Sequence, residues 1–169
     1  MTIDEAIKTA LQYEGRVVAI YRDAMDRSQD PIGKRIFKTL NEEEIGHVRY
    51  LKGKLEELQK TGRVVPTKLA TAVLTADKIQ AVRKAFRGKA SFPKPETELG
   101  LLRRALEVEA ETSSFYQKMA KELSAEDKAL FERFVEIEEG HKAIVQAEID
   151  YVSKMGFWFD IPEFRLEAG

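Results

Sequence analysis

Four stretches of the chain repeat apolar residues three or four positions apart, and this spacing predicts four amphipathic helices. The first covers about residues 2–28 on a stripe of Ile3, Ile7, Leu11, Val17, Val18, Tyr21 and Met25. The second covers about 31–60 on Ile36, Phe37, Leu40, Leu51, Leu55 and Leu58, with Asp30 as its cap before Pro31 and Thr61-Gly62 as its close. The third, about 96–123, uses Leu102, Ala105, Leu106, Thr112, Tyr116 and Met119. The fourth, opened by a cap at 124–127 and running to about 155, uses Leu130, Phe134, Ile137, Ile144, Val145 and Val152. The connection at 63–95 is too long to lack structure. Within it, 75–87 reads as a short helix on Ile79, Val82 and Phe86, followed by an extended Phe92-Pro93-Lys94-Pro95. The tail, 156–169, is too apolar at Phe157-Trp158-Phe159 to hang in water, so it packs on the bundle or on a second subunit.

Polar residues interrupt the stripes at matching places. Glu14, Glu44, His47, Glu109, Glu138, His141 and Glu148 all lie on apolar faces, where a carboxylate is rarely tolerated unpaired. The chain has only two histidines, and each ends a Glu-x-x-His frame: Glu44-Ile45-Gly46-His47 and Glu138-Glu139-Gly140-His141. Residues three apart share a helix face, so each frame aims one carboxylate and one imidazole at the same point. The halves repeat. Tyr21 follows Glu14, and Tyr116 follows Glu109, by two helical turns, and the lone and paired glutamates are 30 residues apart in one half (14 to 44) and 29 in the other (109 to 138). A helical hairpin used twice, at 2–60 and 96–155, brings four glutamates and two histidines together about a pseudo-twofold axis.

Four buried carboxylates would repel one another too strongly for all to ionise. Two divalent cations balance their charge, and two neutral imidazoles add donors. Mixed carboxylate and imidazole ligands suit iron or manganese, with zinc also accepted. In this arrangement Glu44 and Glu138 bridge, Glu14 and His47 complete one position, and Glu109 and His141 complete the other. Gly46 and Gly140, each costing about 1 kcal/mol inside a helix, are expected to let neighbouring helices close on the site. A buried polar network without metal is the alternative, but the stripes hold too few basic partners for it. Glu148 reads as a salt-bridge partner for Lys54 or a group behind the ligands.

Composition narrows the picture. The chain has 169 residues, 43% hydrophobic and 34% charged, with a net charge of −1, which predicts one globular domain with no general pull toward nucleic acid. The short basic run Lys84, Arg87 and Lys89 reads as a solvated helix face. There is no cysteine, so disulfides, thiolate zinc and cysteine-ligated iron–sulfur centres are excluded. Neither a signal-peptide pattern nor an apolar run of spanning length is seen, and the expectation is a cytoplasmic protein without a membrane partner.

On Glu14, Glu44-Ile-Gly-His47, Glu109 and Glu138-Glu-Gly-His141 the chain resembles the ferritin-like superfamily, specifically the rubrerythrin group of di-iron proteins. The resemblance covers 2–60 and 96–155. It implies an all-α, four-helix bundle with a helix-containing crossover between the second and third helices. It also implies two non-haem irons, reduction of hydrogen peroxide or oxygen in oxidative-stress defence, and dimerisation. Tyr21 and Tyr116 match tyrosines that commonly stand beside such centres. The chain departs from the group in lacking a cysteine-ligated rubredoxin domain, so a separate rubredoxin or another carrier would have to supply electrons. Thr112 stands where rubrerythrins carry a second glutamate on the third helix, which brings the ligand set closer to that of bacterioferritin, although Ile45 replaces the haem-binding methionine found there. A ferroxidase feeding an iron store, a substrate oxygenase and a metal-free helical scaffold are the alternative functions.

Overall fold

The computed structural model describes residues 1–85, 95–156 and Trp158, as an all-α bundle of four long helices and one short one. In chain order these are α1 (Ile3–Arg27), α2 (Pro31–Thr61), α3 (Ala76–Ala85), α4 (Pro95–Glu122) and α5 (Lys128–Met155). α1 packs on α2 and on α4, α4 packs on α5, and α3 lies against α5. The 86–87 end of the expected short helix, Lys89, the extended entry at 92–94 and most of the tail lie outside the described residues.

The helix boundaries have local causes. Thr2 and Glu5 form a capping box at the start of α1. Asp30 accepts from the amides of Ile32 and Gly33 ahead of α2, whose first residue is proline. Gly62 (φ 73°) and Gly156 (φ 71°) end α2 and α5 in the left-handed conformation that glycine adopts without strain. Residues 124–127, expected as a cap, form a separate turn: Ser124 Oγ accepts from the Asp127 amide at 3.2 Å, and Asp127 makes no side-chain cap bond to α5.

Two apolar clusters form the core. One contains Val17, Tyr21, Phe37, Leu40, Leu102, Ala105, Ile144, Val145, Val152 and Trp158. The other contains Ile7, Ala10, Leu51, Phe115, Tyr116, Met119, Phe131, Phe134 and Ile137. Each long helix contributes to both, and Glu14, Glu44, Glu109 and Glu138 fall between the two contributions of their helices. Trp158, the one residue described after Gly156, is buried in the bundle. Its indole stands edge-on to Phe37 with ring centres 5.4 Å apart. The bare backbone of Gly33 makes room for it, since a Cβ there would lie 2.5 Å from the ring.

The described part of the connection between α2 and α4 is tied to the long helices. Glu57 accepts from the Val65 amide, Tyr50 and Thr67 bond to each other, and Arg133 donates to the Leu69 carbonyl. Glu43 accepts from Thr71 Oγ1 at 2.6 Å and from the Ala72 amide at 3.0 Å. Lys54 pairs with Glu57 and donates to the Val65 carbonyl. Arg83 of α3 pairs with Asp150 of α5 at 2.6 Å.

The two Glu-x-x-His glycines do not share the role expected of them. A Cβ on Gly140 would meet the Leu74 carbonyl oxygen at 2.8 Å, so what closes on Gly140 is the crossover backbone and not a neighbouring helix. A Cβ on Gly46 would meet nothing within 4 Å, which corrects the expectation of close packing there. Gly46→Ala is therefore expected to raise the melting temperature, through a gain of about 0.5–1 kcal/mol in helix entropy. Gly140→Ala should lower it by lifting the crossover from α5. Thermal unfolding of the two variants checks both signs; equal shifts would contradict the asymmetry.

Candidate metal centre

Each long helix delivers its polar residues to the layer between the apolar clusters. Glu14 comes from α1, Glu44 and His47 from α2, Glu109 from α4, and Glu138 and His141 from α5; none is more than 1% exposed. Ligand-capable atoms of Glu14, Glu44, His47 and Glu138 all lie within 4.8 Å of one another, as do those of Glu44, Glu109, Glu138 and His141. The two sets share Glu44 and Glu138, so two four-donor positions stand side by side.

The imidazoles turn Nδ1 toward the carboxylates. His47 Nδ1 lies 3.1 Å from Glu44, 3.5 Å from Glu14 and 3.5 Å from Glu138. His141 Nδ1 lies 2.5 Å from Glu44 and 3.7 Å from Glu109. The rings are parallel within 7°, with centres 5.4 Å apart. The tyrosines are exchanged between the halves: Tyr21 of α1 donates to Glu109 of α4, and Tyr116 of α4 donates to Glu14 of α1. Each phenol thus occupies one oxygen of the carboxylate belonging to the other half. Burial, reinforced by Glu109 beside Tyr21 and Glu14 beside Tyr116, pushes both phenols well above their ordinary value, so each keeps the proton it donates.

Without a cation this layer offsets its charge by holding protons. Burial, then the negative charge of Glu44, pushes Glu14 up to about 8. Burial, then Glu44 and Glu109, pushes Glu138 well above the carboxylate range. Burial also opposes ionisation of Glu44, but His47 and His141 override it and hold that carboxyl well below its ordinary value. Burial opposes the charge on each imidazole as well; the surrounding carboxylates, Glu44 first, outweigh it and raise both.

The donor set fits two cations. Both oxygens of Glu138, one oxygen each of Glu14 and Glu109, and Nε2 of each imidazole are buried without a hydrogen-bond partner. Such groups cost roughly 1–3 kcal/mol each when left unsatisfied, and a polar network built for its own stability would pair them. Oxygen-rich donors with one imidazole each suit iron, manganese or zinc rather than a soft metal.

One residue of this layer escaped the sequence reading. Glu43, Glu44 and His47 share α2, and at 3.6 residues per turn Glu44 lies about 60° to one side of His47 and Glu43 about 40° to the other. Glu43, His47 and His141 also offer atoms within 4.8 Å of one another. The signal was the second spacing, four residues before the histidine, inside the run Glu42-Glu43-Glu44. Glu148, seven residues after His141, is fully buried.

Comparison with protein-family models, with curated proteins and with solved structures finds no match. The observations themselves define the class: an all-helical domain with buried acidic and histidine clusters able to ligate metal, consistent with a ferritin-like metal-binding superfamily.

Proposed function

We propose that this chain is a ferritin-like di-iron oxidoreductase of the rubrerythrin type, reducing hydrogen peroxide or oxygen with electrons from a separate carrier and acting as a homodimer. The observation that carries the reading is the pair of buried four-donor positions sharing Glu44 and Glu138, with both oxygens of Glu138 and one each of Glu14 and Glu109 unpartnered. The order of the apolar clusters supports the ferritin-like topology. α1 and α5 pass from the Ile7–Phe131 cluster to the Val17–Val152 cluster, whereas α2 and α4 pass the other way. A chain that leaves α2 at one end and enters α4 at the other must cross the bundle lengthwise, and the connection at 63–95 is long enough for that.

In this reading Glu14 with His47, and Glu109 with His141, would each hold one ion, with Glu44 and Glu138 available to both. When bound, the iron pair supplies Lewis acidity and the two electrons that convert one peroxide and two protons to two waters. The chain's own residues do the rest. The phenols of Tyr21 and Tyr116 fix the orientation of Glu109 and Glu14. The two apolar clusters exclude bulk water from both ends, which strengthens every charge interaction in the layer. The pinned crossover covers one flank.

The test is anaerobic ferrous loading followed by desalting, for the parent and for Glu44→Ala, Glu138→Ala together. The parent is expected to retain about two irons per chain, the variant none, and the loaded parent should consume peroxide. Loss of all three metals, iron, manganese and zinc, from the parent would defeat the reading. Sizing is expected to give a dimer; a large hollow shell would move the function to iron storage.

A further inference from the structure

We propose that a groove between α1 and α4 receives a neutral hydroquinone, and that the aromatic ladder beneath it, Tyr13, Phe115 and Tyr116, carries the electrons of that donor to the metal position of Glu14 and His47. The inference rests on the reading of the cluster as a redox centre and names the class of its reductant. Tyr13 and Phe115 line the groove, which has a volume of about 750 Å³ and is shared with Met1, Ala110 and Met119. Their rings are stacked, with centres 4.9 Å apart and planes 22° from parallel. Phe115 in turn has its ring centre 5.7 Å from that of Tyr116. From Tyr116 the ladder reaches both residues of one metal position. The phenol donates to Glu14, and the ring stacks at 4.7 Å on Phe134, which stands edge-on to His47 at 5.3 Å. Every step lies at the spacing of a packed aromatic pair, and neighbouring π systems couple electronically better than saturated side chains do. In the other half the matching series runs from Glu109 through Tyr21 and Phe37 to Trp158, an indole only 1% exposed. Among the described residues, the ladder that opens on the surface is therefore the one under the groove, at the half-buried Tyr13.

The groove fits a small planar donor better than a protein carrier. Its volume lies in the ordinary range for small-molecule sites, and its aromatic rings and methionine sulfurs suit packing against a flat ring. Its charges cancel: Glu107 and Glu111 stand against Lys118 and against Arg16, which pairs with Glu111 at 2.7 Å. A surface whose charges sum to zero offers little field to steer a charged redox protein, whereas a neutral ring enters it without leaving a charge unpaired. Bound there, the hydroquinone gives up two electrons and two protons and leaves as the quinone. The protons pass to water and the electrons pass singly along the ladder. The same two electrons then reduce one peroxide, which takes two protons from water and becomes two waters.

The test uses the full chain, with menadiol as the donor and menadione, its oxidised form, as the binding probe. Titrating menadione into the chelator-treated chain is expected to shift the methyl resonances of Ala110 and Met119. Tyr13→Leu should weaken that binding roughly two- to tenfold, the usual worth of one aromatic contact. In the iron-loaded chain, stopped-flow reduction of the oxidised centre by menadiol should slow by about an order of magnitude in Phe115→Leu, a barrier change of about 1.4 kcal/mol. Phe37→Leu makes the same change in the ladder that ends on the buried Trp158, and its rate should match the parent's. Peroxide oxidation of the loaded chain does not use the groove and should proceed alike in all three variants. Methyl shifts that are absent, or that lie elsewhere, would overturn the inference. So would equal slowing in Phe115→Leu and Phe37→Leu, which would report the core and not a route. The same shifts produced by protein concentration alone would give the groove to a second copy of the chain and overturn it too. Should Phe115→Leu fail to fold, Tyr13→Leu, at a half-buried position, decides the kinetic arm: an unchanged menadiol rate there overturns the inference. A parent that binds menadione but holds no iron, manganese or zinc would overturn the metal reading and the electron route together.

Discussion

Glu138→Leu is expected to raise the melting temperature of the metal-free protein while abolishing cation binding. Both oxygens of Glu138 are buried without a hydrogen-bond partner, and burial together with Glu44 and Glu109 resists its ionisation. Replacing an unsatisfied polar group by an apolar one of similar size relieves about 1–3 kcal/mol. For a chain of this length each kcal/mol moves the midpoint by about 2–4 °C, so a rise of several degrees is anticipated. The same change removes a donor common to both four-residue positions, and neither ion should then be retained. The sign of the stability change discriminates between the two accounts of the layer. A metal-free scaffold held by a buried polar network would lose about 3–5 kcal/mol when one partner is removed. Glu14→Leu provides the internal contrast, because it strands the Tyr116 hydroxyl that Glu14 accepts from, and its stabilisation should be smaller or reversed. Differential scanning calorimetry of the chelator-treated proteins, with metal analysis of the same samples, measures both halves of the expectation. A lower midpoint for Glu138→Leu would count for the network.

How much of this arrangement was legible beforehand depended on periodicity. The four long helices follow from apolar stripes with recognisable stops: Asp30-Pro31 between the first two, Gly62 after the second, Gly156 after the last. The same stripes exposed Glu14, Glu44, Glu109 and Glu138 as intruders, and the Glu-x-x-His frames placed each imidazole beside a carboxylate. Three features were not legible. The exchange of tyrosines between halves depends on how α1 and α4 face each other, whereas spacing reports only that Tyr21 shares a face with Glu14. The different surroundings of Gly46 and Gly140 depend on where the crossover lies, and an irregular segment has no period to read. Glu43 was hidden by composition, since the middle glutamate of a run of three on a helix reads as a solvated face until Thr71 and Ala72 are seen upon it.

Loading the centre at pH 7 is expected to release protons, about three to four for each pair of cations. In the metal-free protein Glu14 titrates at about 8, Glu138 well above the carboxylate range, and His47 and His141 well above 6.5, so these four groups hold protons that cations must displace. Calorimetric titration in buffers of different ionisation enthalpy counts them, and the count should fall as pH rises through 8 and Glu14 ionises unaided. The same groups set the stability of the metal-free fold. For a group whose pKa is raised on folding, the native state binds more protons than the unfolded chain, and stability falls as pH rises through the interval between the two values. For Glu14 that interval runs from 4.5 to about 8, and for the histidines it begins at 6.5. Glu44 acts in the opposite sense: its carboxyl is held low, so its contribution is present above 4.5 and is lost as pH falls below it. The metal-free fold should therefore be most stable on the acidic side of neutrality and weaken toward pH 8, by about 1.4 kcal/mol per pH unit for each group still titrating. Cations take the place of the displaced protons, so the loaded fold should not weaken over that range, and the gap between loaded and metal-free midpoints should widen steadily from pH 6 to 8. A constant gap, or a proton count near zero, would mean that the four groups are not what the cations bind.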